Sequence, residues 1–291
     1  MSYKKVFCTF ADSRMRKSLG RIKKQAEAMG VYNTVSVNDE SDLDVDFRER
    51  FKNRLIISSR GYGYWSWKPQ IILQKLAKMD EGDVLHYADA GCHLNYRGIY
   101  RLGEYFELAR NSPSGILAFQ GKFPDDEPHL MQWFLPERKW TKADLFDYFN
   151  IADEQIMNSS QITATSIFVK KCSKAKQIIE SWRQVYIDNF ELADDTLSKK
   201  QNSEDFIEHR HDQSIFSLLC KINKVATVSS FEYWYPSKRN LQKPDWNKLN
   251  NMPIWAKRDK DLGFLGNFRN LSRRIVNKIW YIFRKQMKYF G

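Results

Sequence analysis

The chain is poor in cysteine. Only Cys8, Cys92, Cys172 and Cys220 occur in 291 residues. They are widely scattered and no CxxC pair exists, which argues against a zinc knuckle or a disulfide framework. Buried free thiols in a reducing cytosol are the expectation. No stretch approaches the ~18 apolar residues that a membrane span needs. The first apolar run, Val6 to Ala11, is too short for the core of a signal peptide. No internal repeat or low-complexity tract occurs. Acid is missing from one place: residues 264–291 hold seven basic residues and no Asp or Glu, so of a net charge of +12 only +5 belongs to residues 1–263. Basicity concentrated in a tail argues against a nucleic-acid-binding body, and no nucleic-acid partner is expected.

What is present is a folding chain, with 42% hydrophobic and 14% aromatic residues. A chain of about 300 residues hides ~75% of its unfolded surface. Lys5 to Phe10 reads as a strand ending at Ala11-Asp12, with Ser13 a candidate cap for a helix over Arg14–Met29 that Gly30 ends. Val31–Val37 is a second strand, and this βαβ start favours a parallel sheet with helices on its faces. Pro69–Met79 reads as a helix with Pro in its first turn, and Asp83–Tyr87 as the strand that delivers Asp89. Gly115–Gln120 and Ile162–Val169 read as strands, Lys122–Arg138 as a long loop, Ser173–Phe190 and His211–Lys221 as helices. Thr141 to Asp144 resembles a capping box.

Three constellations could carry chemistry. The first is Asp89-Ala90-Gly91 after an apolar strand. A carboxylate at the carboxyl end of such a strand is where open α/β sheets place ligand chemistry; the plain alternative is an Asp that caps a turn. The second is Gly61-Tyr62-Gly63-Tyr64-Trp65-Ser66-Trp67-Lys68-Pro69. Its aromatics could stack a base or sugar ring, and Lys68 ahead of a helix could face a phosphate; the alternative is a core-packing loop with a solvated lysine. The third is His209-Arg210-His211-Asp212-Gln213-Ser214, where Asp212 could orient or deprotonate a hydroxyl with His211 and Gln213 beside it. Its alternative is a helix cap with surface histidines.

In this order, Tyr64–Pro69, Gly82–Gly91, Gln161–Lys171 and Glu208–Leu219 resemble the nucleotide-sugar-dependent glycosyltransferases of the GT-A fold, above all bacterial enzymes of O-antigen and capsule synthesis. The resemblance covers residues 3–235. It implies an α/β fold with a Rossmann-type mixed sheet flanked by helices, and a donor site formed by Phe10, Ala11, Asp12, Tyr64, Trp67, Lys68, Asp89, Ala90 and Gly91. Asp212 would face the acceptor, with His211 and Gln213 as its catalytic neighbours. A divalent cation, Mn or Mg, would sit at Asp89. Gly91 stands where a second Asp is usual, so His93, a water or basic side chains such as Lys68 would have to compensate.

Placed on a helix at ~100° per residue, residues 264–290 segregate. Ten apolar side chains, among them Ile275, Ile279, Trp280 and Phe283, share one half, and seven polar ones, including Arg273, Lys278 and Arg284, share the other. That pattern suits a helix lying in an anionic membrane surface; the alternative is a helix packed on the body or on a second subunit. The expected organisation is a catalytic domain over residues 1–235, an irregular wrap over 236–263 and the basic amphipathic helix over 264–291. The function expected is transfer of a sugar from a UDP-linked donor to a lipid-linked glycan on the cytoplasmic face of the membrane. The alternatives are a non-catalytic basic module for an anionic polymer and a degenerate transferase kept as a scaffold.

Overall fold

The computed structural model describes residues 3–238 and 240–260; the tail helix expected over 264–291 lies outside them. One six-stranded sheet organises the chain. Its strands are β1 (Lys5–Phe10), β2 (Thr34–Asn38), β3 (Val84–Ala88), β5 (Ile116–Gln120), β6 (Ile162–Lys170) and β7 (Ala226–Ser229), in the order β2-β1-β3-β6-β5-β7. β4 is the two-residue His93–Leu94, outside this sheet. β1 runs parallel to β2 and β3, and β5 parallel to β7, while β6 is antiparallel to both β3 and β5. The expected mixed α/β sheet flanked by helices is therefore the one observed.

Helices cover both faces, so the central strands carry apolar side chains on both sides. Along β1, Val6, Cys8 and Phe10 enter one core and Phe7 the other. The first core is closed by the helices Trp67–Leu76, Ser173–Asp188 and Asp212–Ile222, which bring in Ile71, Trp182 and Phe216. The second is closed by Arg16–Ala28 and Ile99–Asn111 through Ile22 and Phe106. Each large aliphatic or aromatic side chain so buried contributes roughly 1.5–3 kcal/mol. β3 is buried throughout, including His86, whose ring nitrogens meet Tyr32 at 2.7 Å and Ser166 at 2.9 Å. Burial pushes that imidazole down to about 3, so it is neutral.

Some local expectations are corrected. Asp12, not Ser13, caps the turn after β1, accepting from the Arg14 amide at 3.0 Å, and the helix proper starts at Arg16. Thr141 makes no capping box: the helix Ala143–Tyr148 has no side-chain cap, and the Thr141 hydroxyl donates to Glu137 at 2.9 Å. The segment 122–138 is not a plain loop, for it holds the 3-10 turn Pro128–Trp133 and the start of the short helix Glu137–Trp140. The strand directions position the polar residues. The carboxyl ends of β1, β3, β5 and β7 and the amino end of β6 share one sheet edge, which gathers Asp12, Asp89 and Gln161.

Candidate functional site

At that edge β3 gives way to Asp89, and the Cys92 amide closes a turn on the Asp89 carbonyl at 2.9 Å. The Asp89 side chain is about one-third exposed (33%). Its Oδ1 accepts from the Tyr87 hydroxyl at 2.8 Å and lies 3.2 Å from Nζ of Lys68. Lys68 belongs to the first turn of the helix Trp67–Leu76 and is only 2% exposed. Nζ also donates to Oδ2 of Asp212 at 2.7 Å and to the Ala164 carbonyl at 3.0 Å. An ammonium has three donors, and all three are committed inside the protein. Lys68 is therefore neither a solvated lysine nor one held out toward a phosphate. It joins two acids that are 123 positions apart in the chain.

The electrostatics follow from two carboxylates sharing one ammonium. Burial opposes the charge on Lys68, but Asp212 and Asp89 outweigh it and hold its pKa above the ordinary lysine value. Burial pushes Asp212 up to about 6; Lys68 pulls it down, and the charge on Asp89 pushes it up again. Both shifts upward are compatible: the pair stays ionised near neutral pH, and the more buried acid is the one that takes a proton first.

The aromatic stretch before Lys68 takes an unusual conformation. Gly61, Tyr62, Gly63, Tyr64 and Trp65 all have positive φ, between 51° and 85°. They form a single left-handed turn, closed by the Tyr64 amide on the Arg60 carbonyl at 2.7 Å. For a residue with a Cβ this region costs roughly 1–2 kcal/mol, and three such residues in one turn mark stored strain of the kind that gathers at functional sites. Neighbours hold the turn in place. The Tyr186 hydroxyl donates to the Tyr64 carbonyl at 2.9 Å, the Tyr64 hydroxyl to Asp195 at 2.9 Å, and the Trp67 indole N–H to the Gly61 carbonyl at 2.9 Å. Trp67 stacks on Phe10 with centroids 4.1 Å apart, and both are buried, as is Ala11. The aromatic stack expected against a ligand ring is thus made between two protein rings. The Asp12 carboxylate is engaged twice by Arg14, at 2.7 Å each.

The third constellation arrives opposite. His211, not Asp212, occupies the cap position of the helix Asp212–Ile222, with φ 53° and ψ −121° and no side-chain cap bond. Its Nδ1 meets the Ala193 carbonyl at 2.8 Å, and burial, with Arg60 nearby, lowers its pKa to about 4. It is a neutral ring, stacked on Trp65 at 5.8 Å. Gln213 donates to Oε1 of Gln161 at 2.7 Å. Gln161 in turn donates to Glu137 at 3.0 Å. Glu137 is fully buried, and its carboxylate also accepts from Thr141, Ser217 and, at 2.7 Å, Lys221. Sequence reasoning missed Glu137 and Gln161, which hold Gln213 in place. The signal was a Glu within an otherwise loop-like stretch, which no local pattern distinguishes from a solvated one.

Among the described residues no group of three or more His, Cys, Asp or Glu side chains is placed to hold a metal ion. His93 does not turn toward Asp89 as a ligand: its Nδ1 meets Gln25 at 3.3 Å and its Nε2 meets Asp259 at 3.2 Å. At Gly91 a Cβ would stand 3.2 Å from the Cα of Arg258, because the chain returns over this turn. Two surface concavities lie elsewhere. One of about 240 Å³ is lined by Gln120, Ile162 and Lys221, and one of about 360 Å³ by Arg138, Phe146 and Asn202. The strained turn and the linked acids meet at the β3 edge, and neither hollow is lined by them.

No protein-family model matches the chain, and no curated protein matches it significantly in sequence. Some solved structures are similar to it at low identity. A glycosyltransferase involved in glycosylation of the major capsid of PBCV-1 is similar over 89% of this chain and 98% of its own, at 10% identity and a TM-score of 0.43. The galactosyltransferase LgtC, solved with donor and acceptor sugar analogues, is similar over 86% of each chain, at 12% identity and a TM-score of 0.41. A 4-diphosphocytidyl-2C-methyl-D-erythritol synthase from Anaerococcus prevotii is similar over 78% of this chain and 89% of its own, at 12% identity and a TM-score of 0.36. These are likenesses of fold, and the functional reading rests on the side chains.

Proposed function

We propose that the protein is a glycosyltransferase that moves a sugar from a nucleoside diphosphate donor, UDP-linked, to a lipid-linked glycan of a bacterial surface polysaccharide. The observation that carries this is the Lys68 ammonium shared by Asp89 and Asp212. It links a half-open acid at the carboxyl end of β3 to a buried acid at the start of the helix Asp212–Ile222. Asp89 is the donor-side acid. Asp212 is the acceptor-side acid, with Gln213 and His211 beside it. In the reaction the acceptor hydroxyl oxygen bonds to the anomeric carbon as that carbon's bond to the diphosphate breaks. The hydroxyl proton passes to a base, and the nucleoside diphosphate departs as an anion. With a pKa of about 6, Asp212 is ionised at neutral pH and able to accept a hydrogen bond or a proton.

The test is titration of the full chain with UDP, UMP, other nucleoside diphosphates and a panel of UDP-sugars, then measurement of UDP release from those that bind. The expected result is selective UDP binding, with slow hydrolysis of one UDP-sugar. Failure of every nucleoside diphosphate to bind overturns the reading, and binding without any turnover favours the scaffold alternative. Attachment at the inner membrane surface is part of the same proposal. No helix of the described residues is long and apolar enough to cross a membrane, and the basic tail supplies the charge and apolar face for a surface. Flotation of full-length and 1–263 chains with anionic vesicles tests it: only the full chain should float.

A further inference from the structure

The position that a metal-binding transferase gives to a second acid is filled here by the protein's own chain. The short strand Ile254–Trp255 pairs antiparallel with β4, in the register Ile254 to Leu94 and Trp255 to His93. It carries the chain back across the turn after β3. The Asp259 amide donates to the Gly91 carbonyl at 3.0 Å. Arg21 fastens both partners, donating to the carbonyls of Cys92 at 2.8 Å, Ala90 at 3.1 Å and Asp259 at 3.3 Å. Gly91 fits because it has no Cβ; the nearest atoms one would meet are the Cα and carbonyl carbon of Arg258, at 3.2 Å and 3.4 Å, and the Asp259 nitrogen, at 3.5 Å. A side chain at position 91 would need this return to give by a few tenths of an ångström.

The other candidate ligands are already used. Oδ1 of Asp89 is held by Tyr87 and Lys68. Both ring nitrogens of His93 are engaged, Nδ1 with Gln25 at 3.3 Å and Nε2 with Asp259 at 3.2 Å. One carboxylate oxygen, Oδ2 of Asp89, is all that these residues offer a cation. Divalent ions in diphosphate sites are held by one or two carboxylates beside the phosphates; among the described residues no three His, Cys, Asp or Glu side chains converge on such a site, and the one acid at this turn already shares its Oδ1 with Lys68.

A cationic side chain stands in the same place. Arg258 is exposed, at φ 55°, with its backbone against Gly91. Among the described residues no carboxylate pairs with its guanidinium. Burial lowers the pKa of Arg210, Glu208 opposes that, and the positive charge of Arg258 lowers it further. Arg258 thus brings an exposed cationic residue to the edge beside Gly91, and a diphosphate carries the charge that would match it. The planar fork of Arg matches phosphate oxygens in pairs.

We propose that the donor's diphosphate is held at this edge by Arg258, and that no divalent cation bridges it to Asp89. The inference rests on the donor reading above. The experiment measures UDP and uridine affinity by titration calorimetry in EDTA and in manganese, for the wild type, Arg258→Asn and Arg258→Lys. Asn tolerates positive φ, so the first variant removes charge without adding strain. UDP affinity should differ less than about threefold between the two buffers. Arg258→Asn should weaken UDP by about tenfold or more, the size of a lost charge-assisted hydrogen bond. It should leave uridine affinity unchanged, and Arg258→Lys should restore part of the UDP affinity. Binding of UDP only with manganese, or equal losses for UDP and uridine, overturns the inference and leaves the donor reading standing. No UDP binding in either buffer overturns both. Gly91→Asp is a second check. It should lower the melting temperature and bind no manganese, whereas a new stoichiometric manganese site with the fold intact counts against the proposal.

Discussion

Nζ of Lys68 lies 2.7 Å from Oδ2 of Asp212, across 144 positions of sequence and with both side chains buried. This pair ties the helix after the strained turn to the helix that starts beyond His211. Removing one partner of a buried pair costs more than the pair itself contributes, because the other charge is stranded. Lys68→Met should therefore lower stability by about 3–5 kcal/mol near pH 8. The sign of its pH dependence is the sharper test. Without the ammonium, Asp89 and Asp212 repel each other and the buried Asp212 is pushed further up. A carboxyl held above its unfolded value loses stability as pH rises through that window. The deficit of the variant relative to wild type should therefore shrink on going from pH 8 to pH 5. Urea midpoints at both values check this, and a deficit independent of pH contradicts it.

Asp212 itself carries the second prediction. Its pKa of about 6 lies above the ordinary aspartate value of 3.8. In the wild type this group therefore costs stability progressively as pH rises from about 4 to 6. Sugar transfer should show an acid limb in the same region, rising as Asp212 ionises. Asp212→Asn should lower kcat by ~10²–10⁴, abolish the limb and leave UDP affinity within about threefold of wild type. Loss of UDP binding at unchanged transfer from saturating donor assigns Asp212 to the wrong partner.

Much of the fold was legible because its strands are short apolar runs bounded by turn residues, and Lys5–Phe10, Gly115–Gln120 and Ile162–Val169 fall within a residue or so of the observed limits. The three constellations were legible as composition. Their contact was not, because it depends on β6 entering between β3 and β5, a long-range choice that no local pattern records. The direction of Lys68 was misjudged for the same reason: from sequence a lysine near a helix start points to water or phosphate, and only packing places two acids around it. Trp67 and Phe10 were read as a ligand platform, yet they meet at 4.1 Å in the core, since aromatics flanking glycine suit close packing as well as ligand approach.

The left-handed turn gives a prediction that separates two costs. Gly63 has φ +85°, and a Cβ there would lie 2.9 Å from Cδ2 of Leu55 and 3.2 Å from the Arg54 carbonyl oxygen. Gly82 has φ +90°, and a Cβ there would meet nothing within 4 Å. Gly82→Ala should cost about 1–2 kcal/mol from conformation alone. Gly63→Ala should cost more, because the Arg54 backbone cannot swing away as a side chain can. It should also weaken UDP binding, since the helix bearing Lys68 starts at the end of this turn. Equal stability losses for the two variants contradict the assigned packing.

The last prediction concerns the buried chain that runs from Glu137 through Gln161 to Gln213. Gln161 donates to Glu137 at 3.0 Å and accepts from Gln213 at 2.7 Å, so it links a fully buried carboxylate to the side of the site proposed for the acceptor. Removing Glu137 outright strands the Lys221 ammonium, which is only 8% exposed, so Glu137→Ala should fail to fold or lose about 3–5 kcal/mol. Gln161→Met is the informative change, because it keeps the volume and cuts the chain at one link. It should leave UDP affinity unchanged and reduce transfer by raising the KM for acceptor. Gln213→Ala should do the same, and the double variant should be little worse than either single one. Groups acting as one unit are non-additive, with coupling of about 0.5–3 kcal/mol. Additive losses in that cycle, or a fall in UDP affinity, would mean that Gln161 only supports the fold and that Gln213 acts without it.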